Sequence, residues 1–207
     1  MIKQIFIVSL LCLLPLQAVS RSAGEDEMIR RIEDASAAIE SLECSFVQTK
    51  SMKILDDRMV SEGKMYCSQP GRLRWEYTSP YSSIFIVNGD TVFLENEGRT
   101  DSVDVRKNRM YREMAGFMLG SVSGKCLSDE KSFHVSVTED AGEWVVTLVP
   151  VKKSMLQMWT KLVLHFDPAR NTVSGIEMHE QSGDLTVISF TDVKLNGDLD
   201  PGLFHLK

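Results

Sequence analysis

The residues of this 207-residue chain that could do chemistry are four histidines, four cysteines and several carboxylates near turns. His134, His165, His179 and His205 lie on separate predicted strands or the tail, and none has a second ligand at metal-binding spacing. His179-Glu180 resembles the start of a zinc-binding helix, but no histidine follows at the required offset and the segment alternates like a strand. Gly120 to Gly124 reads GSVSG with Val122 at its centre, so it is no nucleophile elbow. Asp198 and Asp200 beside Pro201-Gly202 form a loop too short for a calcium site. Phosphate-binding and dinucleotide fingerprints are absent from the sequence. The expectation is a chain with no catalytic residues, no metal and no cofactor.

The cysteines speak to compartment and pairing. Lys3 precedes an apolar run from Ile5 to Leu16, and Ala18-Val19-Ser20 places small residues where an export signal is cut. Cleavage is expected after Ser20, leaving residues 21–207 as one domain exported to the periplasm. The run is too short to span a bilayer, and nothing later approaches the ~20 apolar residues a spanning helix needs. Cys12 lies inside this run behind Leu10-Leu11, a poor context for a lipid-modified cysteine. Of the remaining three, Cys44 and Cys67 flank a hairpin turning near Asp56-Asp57. They either face each other as a disulfide or stay as buried thiols, with Cys126 unpaired. The formal net charge of −6, made more negative by loss of Lys3, argues against a nucleic-acid partner.

The elements that would position any site are mostly strands. Met28, Ile32, Ala35, Ile39 and Leu42 recur at helical spacing over Glu25 to Glu43, with Ser22 and Glu25 as a capping box. Strands are predicted from Ser45 to Lys53 and from Arg58 to Ser68. Arg72 to Thr78 then alternates, with Leu73, Trp75 and Tyr77 on one face and Arg72, Arg74 and Glu76 on the other. Ser82 to Val87 and Thr91 to Leu94 flank the hairpin signal Asn88-Gly89, and Gly98 to Arg106 reads as a polar edge strand. Asn108 to Val122 switches to helical period, with Met110, Met114, Phe117, Met118 and Ser121 on one face and Gly124 as a stop. Five further strands follow: Phe133 to Thr138, Glu143 to Val149, Thr160 to Asp167, Thr172 to Glu180 and Asp184 to Lys194. This order predicts a mainly β, α+β fold: a large curved antiparallel sheet with helices on one side.

Phe46, Leu73, Trp75, Tyr77, Phe85 and Phe93 are either ordinary core or the lining of a pocket. Two features favour the pocket. Ile84 to Val87 and Val145 to Val149 are apolar on both faces, as in a sheet that curves over a cavity. Methionines concentrate at Met110, Met114, Met118, Met155 and Met158, and their flexible side chains adapt to varied apolar partners. A helix carrying Met110, Met114, Phe117 and Met118, weakened by Gly116 and Gly120, would make a compliant lid.

A family resemblance rests on these same segments. Phe46-Val47-Gln48, Gly63, the stretch Gln69-Pro70-Gly71-Arg72-Leu73-Arg74-Trp75-Glu76-Tyr77, Pro80, Asn88-Gly89-Asp90 and Gly183-Asp184 occur in order across almost the whole exported chain. Together they resemble the LolA-type periplasmic carriers of outer-membrane lipoproteins. The resemblance implies an incomplete, strongly curved antiparallel β-barrel with a helical lid over a hydrophobic cavity. It also implies a soluble, monomeric lipoprotein chaperone that accepts acylated cargo from an inner-membrane ABC exporter and delivers it to an outer-membrane acceptor or to that membrane. Many members carry arginine before the motif proline, where it bonds lid-helix carbonyls. Here that position is Gln69, and Gln69, Arg72 and Arg74 are the candidates for a lid latch. Related barrels suggest two alternatives: a carrier for another lipid or amphiphile, and a lipoprotein-sensing regulator.

Overall fold

The computed structural model describes residues 22–206, so the predicted export signal and its cleavage site lie outside the described residues. Eleven strands form one sheet: β1 (Ser41–Met52), β2 (Asp57–Ser68), β3 (Arg72–Ser79), β4 (Ser83–Asn88), β5 (Thr91–Asn96), β6 (Arg99–Asp104), β7 (Phe133–Asp140), β8 (Glu143–Pro150), β9 (Trp159–Asp167), β10 (Thr172–Glu180) and β11 (Leu185–Leu195). Their order is β6-β5-β4-β3-β2-β1-β11-β10-β9-β8-β7, so β6 and β7 are the edges and the sheet is not closed. Every neighbouring pair is antiparallel. This is the open, curved antiparallel sheet that the strand order predicts.

Two fifteen-residue helices accompany it, α1 (Ala23–Ala37) and α2 (Arg109–Ser123). Ser22 and Glu25 cap α1 reciprocally, as the spacing predicts. The helix nevertheless ends well short of Glu43. Strand pairing takes over at Ser41, which lies opposite Ser68. The Asn196 side chain then holds the intervening backbone, accepting from Glu40 N–H at 2.8 Å and donating to Ala38 O at 3.1 Å. Ile39 and Leu42 remain buried, as linker and strand residues. The sequence reading also lacks two short elements, α3 (Lys153–Leu156) and a 3-10 turn at Pro201–Phe204.

Packing divides between the two faces of the sheet. The main core lies on the concave side, where α1 and α2 cover residues such as Phe46, Leu73, Trp75, Leu148 and Leu162. A smaller cluster forms on the convex side, where Phe204, Leu203 and Leu206 of the C-terminal segment cover Ile84, Ile86 and Phe93. Strand alternation explains the division: Trp75 pairs with Phe85 and Phe85 with Leu94 on the inner face, while Arg74 pairs with Ile86 and Ile86 with Phe93 on the outer.

Candidate functional site

The concave face can be built up row by row from the strand register. One row across β1 to β5 is Leu42, Cys67, Leu73, Val87 and Val92. The next is Cys44, Met65, Trp75, Phe85 and Leu94, and then Phe46, Gly63, Tyr77, Ser83 and Asn96. Beyond them Gln48 pairs with Ser61 and Lys50 with Met59, and Lys50 Nζ bonds Glu180 at 2.8 Å. The inner surface therefore grades along the strands from wholly apolar to polar. An amphiphile lying along it would point its tail to the Leu42–Leu73 end and its head to the Lys50–Glu180 end.

A cavity of about 430 Å³ lies between this surface and the helices. Its walls include Leu42, Cys44, Met65, Trp75, Tyr77 and Phe85 from the first half of the sheet, and Ile176, Ile188 and Phe190 from the second. Phe46 and Leu73 are fully buried behind these walls. Phe46 packs against Trp75 at a 32° tilt with centroids 4.3 Å apart and meets Tyr77 edge-on at 5.3 Å. Its ring lies across Gly63, where a Cβ would clash with the Glu76 carbonyl oxygen of β3 and sit 2.5 Å from the ring. That glycine admits both the aromatic ring and the close approach of β3.

The structure corrects the predicted lining at Phe93. Position 93 faces outward into the convex cluster, because Asn88 pairs with Thr91 and this register sets Phe93 opposite Ile86. Phe85 faces inward from β4 together with Ser83 and Val87, and Ile86 belongs to the convex cluster.

The lid residues divide similarly. Asn108 caps α2 by accepting from Tyr111 N–H, and Gly124 ends the helix at φ 72°, in the left-handed region. Met114, Phe117 and Met118 face the cavity, and Phe117 also packs against Trp159 with centroids 5.7 Å apart. Met110 does not join them. It sits in the first turn and is 51% exposed.

A latch absent from the sequence reading holds α2 instead. Glu113, with its side chain 7% exposed, meets Lys152 Nζ at 2.7 Å and accepts from Ser154 Oγ at 3.2 Å. The only local hint was a carboxylate inside an apolar helical stretch, since its partner lies 39 residues away. Of the predicted latch residues, Gln69 lines an open cleft with Ser123, Gly124 and Lys125 at the end of α2, and its own N–H bonds Glu40 O. Arg72 and Arg74 face away from α2. Arg72 lies 5.3 Å from the Phe204 ring centroid, and Arg74 donates to Leu203 O at 3.2 Å while pairing with Glu76. Alternation with Leu73 and Trp75 forces both onto the convex side, where they secure the C-terminal segment.

The remaining chemistry-bearing groups are occupied elsewhere. Cys44, Cys67 and Cys126 are free and buried. Cys44 lies opposite Met65 and Cys67 opposite Leu42, so the two are diagonal rather than facing, and the disulfide alternative falls away. Burial pushes the thiols up, to about 12 for Cys44, about 11 for Cys67 and about 12 for Cys126. His165 and His179 bracket Glu177 at 3.0 Å each. Partial burial opposes ionisation of Glu177, but the hydrogen bonds and charge attraction of the two histidines together outweigh it and lower its pKa. Among the described residues no cluster of three or more His, Cys, Asp or Glu is arranged to hold a metal. No described helix is long and apolar enough to cross a membrane.

Comparison with known proteins agrees with this geometry. Residues 37–207 match the family model described as outer membrane lipoprotein carrier protein LolA. An outer-membrane lipoprotein carrier protein from Chromohalobacter salexigens is 26% identical over 92% of this chain and 86% of its own. One from Methylococcus capsulatus is also 26% identical, over 89% and 85%. At the level of fold, a chain in the Pseudomonas aeruginosa MucA/MucB complex superposes with a TM-score of 0.53 at 13% identity, covering 89% of this chain and 62% of that one. The chain, with its open barrel, apolar cavity and helical cover, belongs to the LolA family of outer membrane lipoprotein carrier proteins.

Proposed function

We propose that this protein is a periplasmic chaperone that takes up the acyl chains of lipoproteins leaving the inner membrane and delivers them to the outer membrane. The observation that carries this reading is the cavity under α2, with its apolar-to-polar gradient along the strands. Residues 1–20 leave on export and residues 21–207 act as one monomeric carrier domain. The donor is an inner-membrane ABC exporter and the recipient an outer-membrane acceptor or the membrane itself. The protein binds and releases cargo without making or breaking a covalent bond.

The magnitudes support this division of labour. A triacyl anchor with roughly 45 methylenes loses on the order of 35 kcal/mol on entering water, at ~0.8 kcal/mol each. It therefore crosses an aqueous space only under cover. A 150 Å³ protein cavity holds one benzene, or about 25 Å³ per carbon, so the present cavity takes roughly 17 carbons. That is about one acyl chain of three, and α2 must swing outward to admit the rest. Its cover suits such movement: adaptable Met114 and Met118 on the inner face, and a tie whose Lys152 end reaches solvent.

Native mass spectrometry of protein purified from the periplasm of its own host tests the reading. The expected species begin near Arg21 and carry masses of acylated lipoproteins. Recovery with only small lipids would favour a carrier of other amphiphiles, and recovery with no lipid-bearing species would overturn the proposal.

A further inference from the structure

The inner face of the sheet ends in an ion pair. On β1, Leu42, Cys44 and Gln48 line the cavity, and Lys50 is the next inward residue after Gln48. Lys50 pairs with Thr186 of β11, and Thr186 pairs with cavity-lining Met178 of β10. Glu180 follows Met178 at the same two-residue step and pairs with Trp159, which also lines the cavity. Both charged residues therefore stand one step past the cavity wall, on its own face. Lys50 Nζ donates to Glu180 Oε1 at 2.8 Å, and Thr186 Oγ1 donates to the same oxygen at 3.5 Å. The charged side chains are 29% and 27% exposed, so a ligand head can reach them.

Length places a head beside this pair. From Leu42 to Gln48 the strand advances about 20 Å, at ~3.4 Å per residue. An acyl chain of one bilayer leaflet spans about 15 Å, half of the ~30 Å hydrocarbon core. A chain seated with its tail toward Leu42 ends its apolar part near Gln48, and its head falls near Lys50 and Glu180. Charge on the walls themselves is one-sided. Among the described residues the cavity walls hold no Lys, Arg or His and one carboxylate, Glu95. A negative head thus finds no free cation, because the charge of Lys50 is already matched by Glu180.

We infer that the Lys50–Glu180 pair is a specificity-determining element that admits acyl chains with uncharged, ester- or amide-linked heads and turns away chains whose head is an anion. An uncharged carbonyl can accept from the Lys50 ammonium, which has three N–H donors and uses one on Glu180. A carboxylate or phosphate head meets the Glu180 carboxylate at the same point, and the loss of its hydration there is not offset. The inference rests on the reading of the cavity as an acyl-chain site. It gives that site a means of passing over fatty acids and phospholipids, which carry the same chains on a carboxylate or a phosphate.

Palmitate, an anion at about pH 8, and N-methylpalmitamide, a neutral compound of similar length, are compared by displacement of N-phenyl-naphthylamine. The parent is expected to bind the amide at least roughly fivefold more tightly than palmitate, the size of a part-exposed charge interaction. Glu180→Gln frees Lys50 and should reduce that preference by about fivefold. Lys50→Gln leaves Glu180 alone and should raise the preference by a similar factor. Opposite shifts are the signature, since a pair that merely held β1 to β10 would move both variants in one direction. Equal binding of the two ligands by the parent overturns the inference, whether or not either variant folds. An unchanged preference in either variant, or a shift of the same sign in both, overturns it as well. In each of these cases tight binding of the amide leaves the acyl-chain reading standing. Failure of both ligands to displace the probe from the parent overturns that reading and the inference with it.

Discussion

Strands β4 and β5 carry apolar residues on both faces, yet the two faces are finished in opposite ways. On the convex side, Ile86 and Phe204 are almost wholly inaccessible, and the covering segment is tied down by Arg72 over Phe204, Arg74 to Leu203 O and Asn88 Nδ2 to Phe204 O. On the concave side, α2 leaves a cavity of about 430 Å³, with Met114, Phe117 and Met118 against it and buried Glu113 tied to Lys152 and Ser154. Filling is thus a property of the cover, and the cover can be read from what fixes it. Planar, directional arginine contacts hold a permanent wall. Flexible thioethers suit a wall that moves.

The convex wall offers the largest effect. Phe204→Ala is expected to destabilise the fold by about 3–5 kcal/mol in urea denaturation, the usual cost of emptying a large aromatic site. The molecules that remain folded should bind acyl ligands with parental affinity. Weakened binding by the folded fraction would show that the two faces are not independent.

The tie on α2 should respond asymmetrically. Glu113 is buried, whereas the Lys152 side chain is 39% exposed, so a stranded Lys152 can reach water and a stranded Glu113 cannot. Lys152→Met is therefore expected to cost about 2 kcal/mol, after discounting for the exposed partner, and Glu113→Gln about 1 kcal/mol. Hydrogen exchange along α2 measures both, and equal or reversed costs would contradict this account of the latch. A smaller effect is expected at Arg74. Arg74→Ala should lower global stability by about 1 kcal/mol and leave α2 exchange unchanged, because its contacts lie on the convex side. Faster exchange confined to α2 would restore Arg74 as a lid latch.

The thiols provide the most modest test. Their pKa values are raised from 9.0 in the folded state, so the stability they contribute is complete below pH 9.0 and declines as pH rises toward about 11 to 12. At about pH 8 iodoacetamide should modify native protein far more slowly than unfolded protein, since burial also excludes the reagent. Comparable rates would place a thiol at the surface.

Much of this arrangement was legible in the sequence, and its gaps have physical causes. Alternation from Arg72 to Thr78 placed Trp75 and Tyr77 inward and both arginines outward. The Asn88-Gly89 hairpin even held the information that puts Phe93 outward. A two-residue loop at Asn88-Gly89 would set Phe93 opposite Ile84, whereas the observed loop is Gly89-Asp90 and sets it opposite Ile86; with Trp75 opposite Phe85, either register excludes Phe93 from the inner face. Periodicity alone could not choose, because Val92, Phe93 and Leu94 are all apolar. Helical spacing correctly grouped Met114, Phe117 and Met118, but it cannot tell where along the helix the cavity stops, and Met110 lies past it. The helical pattern of α1 ran on through Ile39 and Leu42 because both are buried, although by strand and linker packing. The Glu113–Lys152 tie depends on distant parts of the chain meeting, which no local pattern encodes.

The central claim is that acyl cargo occupies the concave cavity and not the convex apolar cluster. Phe85 and Phe93 lie on neighbouring strands of the same sheet but on opposite faces, so they make a matched pair. A photo-crosslinking phenylalanine is placed at one position or the other, and the protein is irradiated in its own periplasm while lipoprotein export is active. The account predicts lipoprotein adducts from position 85 and none from position 93. Adducts from position 93 alone, or equally from both, would contradict it.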